Sequence, residues 1–207
     1  MSVRTVSSAV CLAFVVMAAL AANAFAGVAG FAAAKAFHRY PVYWAGAEVL
    51  GVPLEDIEGH AGFEKHAPSG WSFNYGTCEL PETDEPSCAL PVEIQVDSTC
   101  TRWADELNRP ADLVPFRGAI ANWRLGAPGP GEHGVEIFTG RVTIVIFVEP
   151  FSLKQVYHLS DPEKVASEVM VRLRTVHQAG PRPLPPPVPG SLAGGLPCQK
   201  RTAEEFE

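Results

Sequence analysis

Six histidines, five cysteines and a run of carboxylates are the residues of this 207-residue chain best able to do chemistry. Glu58, His60, Glu64 and His66 fall together in Glu58-Gly-His-Ala-Gly-Phe-Glu-Lys-His66. A metal-binding helix presents ligands at i and i+4, whereas His60 and His66 are six apart across Gly62, with no third ligand fixed by the pattern. The segment therefore reads as a solvated loop, with Glu58, His60 and His66 as a weak polar cluster and no metal expected. Glu79, Glu82, Asp84 and Glu85 supply oxygens, but a calcium cage needs about six or more in defined order, and no EF-hand spacing is present. Ser69-Gly70 and Thr77-Cys78 are turn-like, yet neither belongs to Gly-x-Ser-x-Gly or a known Cys/His pattern. No catalytic residue is assigned. No strand is followed by a Gly-rich turn opening a helix, so no nucleotide or other cofactor is expected.

Four cysteines, Cys78, Cys88, Cys100 and Cys198, lie outside the apolar N-terminus, an even number that reads as disulfides in an exported domain. Three pairings are open. Cys78–Cys88 is preferred because it closes the short acidic loop, which leaves Cys100 for Cys198. Zinc sites want cysteines about two to four residues apart, and these spacings are much wider. Cys11 nearly begins the apolar run rather than following it, which argues against lipidation and for a small buried hydrophobe.

Those residues need a compartment, and the N-terminus addresses it. Ala9 to Ala34 carries no charge, with Asn23 its polar interruption. As a helix it would run roughly 39 Å against a hydrocarbon core of ~30 Å, so residues 1–35 read as an uncleaved single-pass anchor. The alternative is a cleaved signal peptide, because Ala22-Asn23-Ala24 and Ala24-Phe25-Ala26 both suit signal peptidase. Cleavage after Ala26 would leave a greasy start, Gly-Val-Ala-Gly-Phe-Ala-Ala-Ala. Arg4 before the run and Lys35 and Arg39 after it mildly oppose an outward-facing domain, while the cysteine pattern favours one. Beyond residue 35 the chain has 14 basic and 23 acidic residues, net −9, which argues against nucleic acid or an anionic membrane surface as partner.

The elements that must position everything else read as one α+β domain over residues 37–178, a mostly antiparallel sheet packed on a C-terminal helix, followed by a Pro-rich tail over 179–207. Pro41 to Gly46 reads as a short strand, with a turn at Leu50 to Leu54. Trp71-Ser-Phe-Asn-Tyr75 and Val92-Glu-Ile-Gln-Val96 alternate with period two and should pair as a hairpin. Phe116 to Leu125 reads as one strand. Val135 to Thr139 and Val142 to Val148 flank Gly140-Arg141, where Gly140 suits the first position of a type II′ turn, and the second arm is apolar enough to be covered on both faces. Ser160 and Glu163 suggest a capping box for a helix from Asp161 to His177, with His177 at its negative end and Ser152 to His158 a further helical turn. Pro181 to Pro189 reads as a polyproline-like tether.

The combination Tyr40-Pro-Val-Tyr-Trp-Ala-Gly46, Gly51-Val-Pro-Leu54, Phe73-Asn-Tyr-Gly-Thr-Cys78, Cys88 to Pro91 and Glu136-Ile-Phe-Thr-Gly140 resembles uncharacterised exported proteins of high-GC, actinobacterial type. The resemblance spans Tyr40 to Val148 and implies export, with no activity attached to any residue. The functional expectation is a membrane-anchored extracytoplasmic domain, a non-enzymatic interaction or envelope-associated module with an envelope protein as partner. The alternative is a small secreted enzyme or ligand-binding protein with a site assembled from distant loops.

Overall fold

The computed structural model describes residues 30–61, 68–77, 90–98, 113–124 and 133–187. Cys78, Cys88, Cys100, Cys198, His66, the acidic loop and residues 9–29 lie outside them. The fold is α+β. An eight-stranded antiparallel sheet contains β2 (Glu48–Val49), β3 (Val52–Ala61), β4 (Pro68–Tyr75), β5 (Val92–Ser98), β6 (Leu113–Phe116), β7 (Ala119–Arg124), β8 (His133–Phe138) and β9 (Val142–Val148), in the order β2-β3-β4-β5-β9-β8-β7-β6. Two meanders thus run inward from opposite edges and meet at the β5/β9 pair, where Ile94 faces Ile146.

Period-two alternation explains the inner face. Trp71, Phe73 and Tyr75 of β4, Val92, Ile94 and Val96 of β5, Ile144 and Ile146 of β9, and Val135 and Ile137 of β8 are all buried. Burying each large apolar side chain stabilises the fold by roughly 1.5–3 kcal/mol. The β4/β5 hairpin forms as its alternation implies, Phe73 opposite Ile94. β9 is central, but its outer face is not fully covered: Phe147 remains 38% exposed.

Helices α2 (Pro150–Tyr157) and α3 (Pro162–Arg172) follow β9, and α3 packs on β8 and β9. Glu149 caps α2, its carboxylate accepting from the amides of Phe151 at 3.0 Å and Ser152 at 2.5 Å. The cap of α3 is Asp161, not Ser160, with Oδ1 accepting from Lys164 N–H at 2.9 Å. The helix also ends earlier than the apolar stripe suggests. Leu173 turns extended so that β10 (Arg174–Thr175) can pair with β1 (Tyr43–Trp44) in a separate two-stranded ribbon. Val165, Val169, Leu173 and Val176 are nonetheless all buried, so the stripe marks burial beyond the helix itself. His177 consequently sits past the helix, against His38.

Three turns depart from the sequence expectations. Leu50 and Gly51 both have positive φ, 50° and 83°, the pattern of a type I′ hairpin turn, and Pro53 lies within β3. Arg117 and Gly118 do the same at 49° and 99°, splitting the single strand expected at Phe116 to Leu125 into β6 and β7. Gly140 lacks the positive φ of a type II′ turn; Pro186 instead passes close to it.

Two terminal segments are built into the domain. Residues 30–36 form helix α1, with Ala34 buried, Phe31 against Trp44 at 4.5 Å, and Gly30 so near Ile57 that a Cβ would overlap its carbonyl. Residues 181–187 run as an extended strap rather than a loose tether. Leu184 is buried, and its N–H donates to the Arg117 carbonyl at 2.7 Å. The Arg117 side chain clasps this corner, donating to the carbonyls of Leu173 at 3.0 Å, Met170 at 3.2 Å and Arg182. Burial lowers the Arg117 pKa from its ordinary value. Among the described residues no helix is long and apolar enough to cross a membrane.

Candidate functional site

His60 lies near the end of β3, so the segment expected to be a solvated loop is a strand as far as Ala61. Glu58 pairs with Ser72 of β4, His60 with Gly70, and Ser72 in turn with Gln95 of β5. This register gathers on the outer face the polar residues that alternate with the core. His60 Nε2 and Ser72 Oγ are hydrogen-bonded, Ser72 Oγ donates to Glu93 Oε1 at 2.8 Å, and Gln95 Nε2 donates to the same oxygen at 2.9 Å.

The direction of these bonds decides what the site can do. A serine nucleophile donates its hydroxyl proton to the base that activates it. Here that proton is directed at Glu93, which leaves Ser72 to accept from Nε2–H of His60. Ser72 is also only 1% exposed. The arrangement ties three strands together.

Asp97 borders this network across Gly70, where an added Cβ would meet its Oδ1. Its pKa is raised, first by burial and then by Glu93, with His60 opposing. Glu58 is raised by hydrogen bonding and repulsion from Asp56, with smaller contributions from desolvation and Glu93, against the lowering effect of His60. Tyr40, also raised mainly by burial, feels Asp97 as well. Further along the outer face Asn122 Nδ2 approaches Glu136 Oε2 at 3.4 Å, both residues buried. Among the described residues no group of three histidine, cysteine or acidic side chains is placed to hold a metal.

Of the weak cluster, the structure keeps Glu58 and His60 on one strand; His66 lies outside the described residues. Ser72, Glu93, Gln95 and Asp97 were missed as its companions. Their alternation with core residues was visible, but the register that brings them to His60 was not. Comparison of the chain with known families, curated proteins and solved structures gives no match.

Proposed function

We propose that the chain is an extracytoplasmic, non-enzymatic interaction domain held at the membrane by its N-terminal segment. The observation that carries this reading is the joint at α1. Gly30, Phe31 and Ala34 pack into the fold, so the last turn of the apolar run belongs to the domain. Residues 9–29 remain, an uncharged stretch of 21 residues that would span roughly 31 Å as a helix, enough for the ~30 Å hydrocarbon core.

A second reading, secretion after cleavage at Ala26, gains from the same joint. Phe31 and Ala34 have folded partners, so the greasy start of the processed chain is explained by packing. Protease treatment of intact cells tests the common claim. Digestion of the domain without lysis, or its recovery from the medium, is the expected result. Resistance until the membrane is opened would place it inside and contradict the proposal.

A further inference from the structure

Several of the described segments carry charge of one sign. Residues 48–61, 68–77 and 90–98, which form β2 to β5 and their turns, carry Glu48, Glu55, Asp56, Glu58, Glu93 and Asp97 and no lysine or arginine. Residues 30–47 carry Lys35 and Arg39 with no acid, and residues 172–187 carry Arg174 and Arg182 beside Arg172, which is ion-paired to Glu168 at 2.6 Å. Contacts draw the basic segments together. Lys35 Nζ stands 4.8 Å from the Phe31 ring centre, Phe31 leans on Trp44, and the Arg174 guanidinium lies 5.0 Å over the same Trp44 ring. Arg141, from the β8/β9 turn, donates to the Arg39 carbonyl at 3.3 Å, and the His38 and His177 rings face one another at 6.1 Å. Lys35, Arg39 and Arg141 are exposed. Tyr40, which feels both Arg39 and Asp97, marks the border with the acidic side.

Net charge alone argued against an anionic surface, but net charge is a sum over faces. At an anionic membrane surface clustered cations meet lipid phosphates. The uncharged segment 9–29 precedes α1, which carries Lys35 and sets Phe31 against Trp44. We infer that the face built from Lys35, Arg39, Arg141 and Arg174 around Trp44 docks on an anionic lipid surface, with the acidic strands on the other side left to solvent and partners. The inference rests on the reading that the N-terminal segment brings the domain to a membrane, and charge complementarity selects lipid phosphate as the occupant.

The test reconstitutes the full chain in vesicles of phosphatidylcholine alone and in vesicles with one third phosphatidylglycerol, then follows amide hydrogen exchange. Exchange in residues 35–47 and 139–142 should slow several-fold in the anionic vesicles only, and high salt should abolish the difference. An Arg39→Glu/Arg141→Glu variant whose β4 and β5 amides stay protected, and which is therefore still folded, should lose the protection in residues 35–47 and 139–142, and Arg39→Lys/Arg141→Lys should keep it. Equal exchange in both vesicles would overturn the docking face. Retention on vesicles after an alkaline wash reads the anchor separately. A chain that washes off either vesicle contradicts the anchor alone, and the face is then read by sedimentation. Salt-sensitive binding to anionic vesicles, weakened about fivefold per charge removed, upholds it; absence of binding overturns it.

Discussion

Strands β2 to β5 and the α1/ribbon/strap side are held in different ways. The strands depend on side chains: the inner face is lined by buried apolar residues such as Ile57, Phe73 and Ile94, and the outer face is free to carry acids and the His60–Ser72–Glu93 network. The other side depends on backbone groups reached from afar. Arg117 clasps three carbonyls, the Leu184 amide meets Arg117, and the Val176 amide meets Val42 at 3.0 Å. A sheet can vary its outer face without losing its core, whereas a clasped edge fails when its clasp is removed.

The largest expected effect breaks the first region. Phe73→Ala removes a fully buried ring from β4 and should cost about 3–5 kcal/mol in denaturant unfolding. Arg117→Ala breaks the second, leaving its three carbonyls without their charged donor, and should cost about 2 kcal/mol. It should also speed proteolysis within 181–187 while β4 and β5 amides stay protected from exchange; uniform loss across the molecule would erase the distinction between the regions. Gly30→Ala forces α1 off Ile57 and should cost roughly 1–3 kcal/mol, read as faster exchange in residues 31–37. The smallest effect sharpens the border. Because burial raises the Asp97 pKa, its protonated form favours folding, and that contribution is complete below about pH 3.9 and lost as pH rises. Asp97→Asn should therefore melt above the parent at pH 7 and level with it near pH 3. A lower melting point at pH 7 would show that the carboxylate is held by its partners rather than opposed by burial.

These two regions also differ in how much of them the sequence revealed. Period two in Trp71 to Tyr75 and Val92 to Val96 exposes both the strands and their core face, because alternation is a local property. The α+β class followed from such runs and from the stripe Val165, Val169, Leu173. Arg117-Gly118 escaped notice because its flanking residues continue the apolar pattern through a tight turn. The helix end at Leu173 was hidden because its cause, pairing with Tyr43 and Trp44, lies about 130 residues away in the chain. The candidate site divides the same way: Glu58 and His60 were visible as neighbours, but Ser72, Glu93 and Asp97 reach His60 only through a register that no local pattern reports.

An extracytoplasmic domain delivered by its N-terminal segment is tested most directly by the intact mass of chain isolated from its native cell, alkylated with and without prior reduction. The expected result is that Cys78, Cys88, Cys100 and Cys198 take up the reagent only after reduction, on a chain that keeps its N-terminus or starts at Gly27. Four thiols alkylated without reduction would place the domain in a reducing compartment and overturn its extracytoplasmic placement.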